Sequence, residues 1–283
     1  MRSLLFVPAD DANKQKKALA SATDAIILDM EDSVAIGNKV TARTTIAEFY
    51  ALPHGDKIII IRINALDTPL WQDDIRAILP FAPHYILIPK ARSGADIKTI
   101  NDLINTDAKA RAKTKIIAIV TELPESLFNM ASFKNSGEAL AGMTWGAEDL
   151  SAEIGAQTNK DAQGIYFPVY QLARSYCLLG AAHAGVLAID SVFTNFKDIQ
   201  GLKEETQRAK IEGFHGKMLI HPCQIDTVNE VFTPTEDEIE HAKLVIETIE
   251  QSSSGGVAQL NGEMIDQPHY RRALSLLKHV NFN

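Results

Sequence analysis

Cysteine is scarce in this 283-residue chain. Cys177 and Cys223 are its only two, too few for a disulfide framework or a cysteine-rich zinc module. No uncharged apolar run approaches the ~20 residues of a membrane helix. The N-terminal MRSLLFVPAD stops at Pro8 and Asp10. It is too short for a signal-peptide core and has no small-residue cleavage site, so a cytoplasmic protein is expected. Dinucleotide GxGxxG, Walker and GxSxG motifs are missing, which removes support for those three chemistries. The histidines show no metal-ligand spacing. A net charge of −8 argues against nucleic acid as a partner.

What the chain does have is a recurring short apolar run. These run from Leu4 to Pro8, Ala25 to Glu31, Lys57 to Asn64, Tyr85 to Lys90, Lys115 to Glu122, Ala139 to Gly146, Gly185 to Phe193 and Gly216 to Pro222. Several are continuous Ile, Leu and Val without alternation, as expected of parallel strands buried on both faces. Helical apolar spacing fills the gaps: Lys39 to Tyr50, Trp71 to Ala82, Gly94 to Asn105, Pro168 to Ala184, Asp198 to Glu212 and Thr235 to Glu250. Eight such units predict an α/β fold, a (β/α)8 TIM barrel over residues 1–250, with an open doubly wound sheet as the rival. The longest gap, Ser151 to Pro168, reads as an elaborated loop. After a flexible SSSGG, residues 251–283 form an extension: a hairpin VAQL-NG-EMI, then a helix from about Pro268.

Polar residues collect where the runs end: Asp29, Glu31, Arg62, Asn64, Lys90, Glu122, Glu148, Asp149, Asp190 and His221. Barrel enzymes carry their sites at that face, although strand ends leave the core in any case. Glu122 and Asp149 close successive strands. Two carboxylates at one rim suit Mg²⁺, which keeps waters and takes further ligands from a substrate. The alternative is a pair of hydrogen-bonded rim acids. Arg62 follows four isoleucines and must find an anion or a polar cavity. It is read as a donor to a carboxylate or a developing oxyanion, an ion pair with Asp29 or Glu31, or both. Lys14, Lys16 and Lys17 open the first helix, either as a phosphate site or as a solvated face. Cys223, after His221 and Pro222, is a possible nucleophile but reads better as a buried, inert thiol.

Eight stretches in order resemble the citrate lyase beta-subunit family, among the CoA-ester lyases of the HpcH/HpaI aldolase superfamily. They are RSLLFVP (Arg2 to Pro8), DAIILDMEDSV (Asp24 to Val34), RINALDTP (Arg62 to Pro69), LIPKARS (Leu87 to Ser93), WGAEDLSAEIGA (Trp145 to Ala156), AIDSVF (Ala188 to Phe193), GFHGKMLIHPCQI (Gly213 to Ile225) and LNGEMIDQP (Leu260 to Pro268). The resemblance implies a TIM-barrel homotrimer with Mg²⁺ on Glu122 and Asp149. It implies Arg62 as substrate arginine, and Asp266 as an acid entering a neighbouring subunit's site, so that the extension packs on that neighbour. Phe6, Lys14, Lys17, His221 and Pro222 fall where the family holds substrate and coenzyme A, beside Arg62 and Glu122. Departures occur at Ala9, Leu123, Glu125 and Ser126. The implied activity is Mg²⁺-dependent carbon–carbon cleavage of a 3-hydroxyacyl-CoA such as citramalyl-CoA or malyl-CoA. The alternatives are a citrate lyase subunit served by an acyl-carrier protein, a malyl-CoA thioesterase, and a regulatory barrel without turnover.

Overall fold

The computed structural model describes residues 1–252 and 256–280. The strands are β1 (Ser3–Pro8), β2 (Ala25–Asp29), β3 (Ile58–Arg62), β4 (Tyr85–Ile88), β5 (Lys115–Ile119), β6 (Leu140–Thr144), β7 (Leu187–Asp190) and β8 (Gly216–Leu219). Each pairs in parallel with the next, and β8 returns to β1, so the sheet is a closed barrel and not an open one. The helices around it are α1 (Ala12–Leu19), α2 (Lys39–Tyr50), α3 (Trp71–Ile78), α4 (Gly94–Ile104), α5 (Ala108–Lys113), α6 (Pro124–Phe128), α7 (Glu148–Glu153), α8 (Pro168–Ala184), α9 (Ile199–Glu212) and α10 (Ile225–Phe232).

The continuous apolar runs follow from two cores. Leu4, Ala25, Ile27, Ile60, Leu87, Ile117, Ile119, Ile189 and Met218 pack together inside the barrel. Their sequence neighbours, including Leu5, Ile26, Leu28, Ile59, Ile61, Ile86, Ile88 and Ala118, face the helices. Both faces of each strand leave water, so both need apolar side chains. The helix expected over 71–82 ends as α-helix at Ile78 and finishes in a 3₁₀ turn, Leu79–Phe81. Pro80 brings no N–H to that turn, and Ala82 closes it at φ 47°. Short α5, α6 and α7 carry too few residues to show a period.

The chain divides into compact units at residues 1–232 and 233–283. The helix α11 (Glu236–Glu250), read above as the last of the barrel, therefore groups with the extension, and the boundary expected at 250 moves to 232/233. The physical reason is its apolar face: Ala242, Val245 and Ile249 form one core with Ile265 and Ala273. Its start is fixed by the capping box of Thr235 and Glu238. The hairpin is β9 (Ala258–Leu260) with β10 (Glu263–Ile265). Asn261 at φ 51° and Gly262 at φ 88° supply the left-handed pair that a two-residue turn requires. The last helix is α12 (Gln267–Val280). Residues 253–255 of the expected flexible break lie outside the described residues. Among the described residues no helix is long and apolar enough to cross a membrane.

Candidate active site

Asp29 and Arg62 are register neighbours on β2 and β3. Both follow the inward parity of Ile27 and Ile60, so they meet at the C-terminal mouth of the barrel. The pair is bidentate: Arg62 Nε donates to Asp29 Oδ1 at 2.6 Å and Nη2 to Oδ2 at 2.7 Å. Burial alone would raise the Asp29 carboxyl. Arg62 and the N–H groups of Glu31 and Ser33 outweigh it and hold the group below its ordinary range. The Phe6 ring lies 4.7 Å beneath the guanidinium carbon, so Arg62 is fixed on two sides.

Glu31 and Lys90 extend this pair across the mouth. Lys90 Nζ donates to Glu31 Oε1 at 2.7 Å and lies 3.2 Å from Asp149 Oδ1. The Lys90 backbone N–H donates to Glu122 Oε2 at 2.7 Å. Arg62 Nη1 is 3.0 Å from Glu31 Oε2, but without hydrogen-bond alignment, and that buried oxygen has no hydrogen-bond partner. Glu122 is pushed up to about 8, first by burial and then by the charges of Asp149 and Glu31. Gly146 makes its place: a Cβ there would stand 2.9 Å from Glu122 Cγ.

A cavity of about 390 Å³ opens on this cluster, lined among others by Phe6, Asp29, Arg62, Glu122, Asp149 and Met218. Four carboxylates, Asp29, Glu31, Glu122 and Asp149, face two cations, Arg62 and Lys90. Asp32 and Glu148 line the same cavity, so carboxylates outnumber cations at the mouth. A Glu122 carboxyl raised by burial and by neighbouring acids, and a Glu31 oxygen with an ion pair but no hydrogen bond, are what a carboxylate site shows when its counter-charge is short. A divalent cation would fit that deficit, and Glu122 and Asp149, both at the cavity, are the residues that could hold it. Among the described residues no group of three or more His, Cys, Asp or Glu is arranged to cage a metal. A cation here would keep open positions, which suits Mg²⁺.

The other expected residues are dispersed. Lys14 and Lys17 are exposed on α1, and Lys14 pairs with Asp11 at 3.4 Å. Neither lines the cavity. His221 and Pro222 are exposed just beyond β8, one residue past the cavity wall at Ile220. The His221 ring stacks on Phe196 at 4.7 Å, with Nδ1 2.9 Å from Cys223 Sγ. Asp266 belongs to the second unit, where its Oδ1 lies 2.6 Å from His269 Nδ1 and its carbonyl accepts from Tyr270 at the start of α12.

Sequence reasoning missed a second ionic cluster. Asp190 and Lys217 are register neighbours on β7 and β8, but they point outward under α8 and α9. Lys217 Nζ donates to Asp190 Oδ2 at 2.7 Å and Glu205 Oε1 at 2.8 Å, and it is fully buried. Arg174 and the Trp145 indole N–H complete the Asp190 shell at 3.3 and 2.7 Å. The available signal was a lysine inside the strand GKML, which must have an acid beside it. A groove of about 750 Å³ lies over this side. It is larger than the mouth, yet Lys160, Arg174, Glu205 and Glu212 along it are paired with acids or bases already.

A model of the HpcH/HpaI aldolase/citrate lyase family matches residues 2–222. The citrate lyase subunit beta of Leuconostoc mesenteroides subsp. cremoris is 34% identical over 290 residues, covering 100% of this chain and 94% of that protein. A (3S)-malyl-CoA thioesterase of Cereibacter sphaeroides is 34% identical over 271 residues, covering 95% and 90%. Among solved structures, protein CitE from Mycobacterium tuberculosis, in complex with magnesium, acetoacetate and coenzyme A, aligns with TM-score 0.82 and 31% identity over 99% of this chain and 98% of that one.

Proposed function

The chain belongs to the HpcH/HpaI aldolase/citrate lyase family, and from that premise we propose that it is a cytoplasmic, Mg²⁺-dependent carbon–carbon lyase. Its substrate is a 3-hydroxyacyl-CoA of the citramalyl-CoA or malyl-CoA type, and its products are acetyl-CoA and a 2-oxo acid. The observation that carries this reading is the excess of carboxylates over cations beside a fixed arginine in a cavity of about 390 Å³. Glu122 and Asp149 would hold Mg²⁺, which would supply Lewis-acid polarisation of a hydroxyl beside a carboxylate. The hydroxyl proton passes to solvent water, the carbon–carbon bond breaks as the new carbonyl forms, and its electron pair passes to the thioester as an enolate. Arg62 is held in place by Asp29 before the reaction, so it stabilises the developing oxyanion without reorganising; one such donor is typically worth ~3 kcal/mol.

Asp266, in this reading, gives the acetyl carbon its proton, and does so from a neighbouring subunit of a homotrimer. Phe6, His221 and Pro222 border the thioester, while Lys14 and Lys17 attract the coenzyme A phosphates. Mixing Asp266→Ala with Arg62→Ala under subunit exchange is expected to restore activity that neither has alone; exchange without recovery removes the shared site.

The names of the relatives support two neighbouring outcomes on the same residues: cleavage of a citryl group on an acyl-carrier protein, and hydrolysis of malyl-CoA. Citramalyl-, malyl- and citryl-thioesters, offered with and without Mg²⁺ and followed by product analysis, separate them. A 2-oxo acid with acetyl-CoA marks the proposed lyase. Oxaloacetate formed only from carrier-bound citryl marks the citrate lyase subunit, and free coenzyme A with intact malate marks the thioesterase.

A further inference from the structure

Lys90 is the residue at the mouth whose position the strand pattern does not explain. On β4, Tyr85 and Leu87 face the interior while Ile86 and Ile88 face the helices. β4 ends at Ile88, and Pro89 and Lys90 form a turn beyond it, so alternation no longer sets where residue 90 points. Its backbone adopts φ 50°, in the left-handed region that a lysine rarely enters. Strain of this kind persists where the surroundings impose it, and it gathers at functional sites. The turn has two results. The Lys90 N–H aims at Glu122 Oε2, and the side chain comes back over the mouth to Glu31 and Asp149.

The two contacts of the ammonium are unequal. Glu31 is 2.7 Å away with a side chain 7% exposed. Asp149 is 3.2 Å away and 32% exposed, so the Asp149 contact is longer and wetter, and the weaker of the two. An ammonium on a four-carbon stem can leave Asp149 and keep Glu31.

We propose that Lys90 is a built-in counter-cation: it holds Asp149 in the metal-free protein, gives that carboxylate up to the incoming dication, and withdraws onto Glu31. This rests on the reading of Glu122 and Asp149 as the cation's ligands. Lys90 thereby holds mutually repelling acids together, at the expense of cation affinity. It is a positioning residue, and its backbone and side chain act on the two proposed ligands separately.

The test is Lys90→Asn, because asparagine tolerates the left-handed backbone and retains the N–H to Glu122. MgCl₂ is titrated calorimetrically into the metal-free wild type and variant. With the competing positive charge gone, Mg²⁺ is expected to bind K90N about tenfold more tightly, and the metal-free K90N to melt lower than wild type and regain more on Mg²⁺ addition. A folded K90N that binds Mg²⁺ no more tightly than a binding wild type overturns the inference alone. Absence of Mg²⁺ binding by wild type and variant overturns it together with the ligand assignment. If K90N does not fold, ¹⁵N-lysine spectra of the wild type decide. The Lys90 ammonium signal, assigned by its loss in Lys90→Arg, is expected to shift as MgCl₂ is added, and a signal that stays in place through saturation refutes the proposal.

Discussion

Asp29 and Arg62 face each other across β2 and β3, and Asp190 and Lys217 face each other across β7 and β8. Each pair is a buried acid and base on adjacent strands. The first points into the barrel at its mouth, and the second points outward under α8 and α9. Their surroundings differ in sum. Asp190 has Lys217, Arg174 and the Trp145 N–H, and Lys217 has a second acid in Glu205, so every charge is answered. At the mouth, Glu31, Glu122 and Asp149 share what Arg62 and Lys90 offer, and charge remains. Burying a charge costs desolvation in both places, more for Lys217 and Asp190 than for the partly exposed Lys90 and Asp149. Where it is repaid inside the protein, the cluster holds helices to strands; where it is not, the protein is built to bind something.

The comparison is broken most directly at the mouth. Glu122→Gln with Asp149→Asn should lower Mg²⁺-dependent turnover by roughly a thousandfold. The melting temperature of the metal-free protein should stay level or rise, because two mutually repelling carboxylates are gone. Retained Mg²⁺-dependent turnover would falsify the ligand assignment.

The outer cluster should respond the other way. Lys217→Met leaves Asp190 buried without its main partner, and removal of one member of such a pair typically costs about 3–5 kcal/mol. Denaturant unfolding should show that loss, with substrate KM little changed in whatever protein remains folded. A difference under ~1 kcal/mol would mean the pair is no more valuable than a surface one.

Acid sharpens the same contrast. In the wild type, Lys217 and Arg174 overcome the effect of burial and depress the Asp190 carboxyl, while Asp190 and Glu205 overcome it for Lys217 and raise the ammonium. The Asp190 contribution is present above the unfolded carboxylate value near ~3.9 and is lost as pH falls through the depressed folded value. The Lys217 contribution is present below ~10.4 and is lost only as pH rises through the raised folded value. Neither changes between those limits. Without Lys217, burial lifts Asp190 relative to wild type. The stability gap between wild type and Lys217→Met should therefore narrow from pH 7 to pH 5, and a constant gap would count against Asp190 as the stranded charge.

The smallest effect is expected on α1. Lys14→Gln with Lys17→Gln should raise KM for a CoA ester a few-fold and leave kcat alone, since the contacts lie far from the breaking bond. An equal fall in kcat would argue for a role in the chemistry.

How much of this was legible depended on what each residue needs. Arg62 was legible because an arginine after Ile58 to Ile61 has no apolar way out, and both readings, ion pair and cavity, hold together. Lys217 was not, because its partner Asp190 stands 27 positions earlier and becomes a neighbour only when β7 and β8 align. α11 was assigned to the barrel because a 3.6-residue period reports an apolar face without naming what covers it. Lys90 was visible as a polar strand end, but its left-handed backbone obeys no pattern in the chain.

The sequence by itself determined buried parallel strands alternating with amphipathic helices, since runs apolar on both faces have few ways to leave water, while the pairing of β8 with β1 decided the barrel over the open sheet. The sequence also determined which residue types stand at the strand ends. Only the tertiary structure decided which of those charges answer one another, because closing the sheet sets Asp29 against Arg62 and Asp190 against Lys217, and electrostatic energy depends on separation in space. The charge left uncompensated around Glu122 and Asp149 is a property of that arrangement, and no stretch of the chain carries it alone.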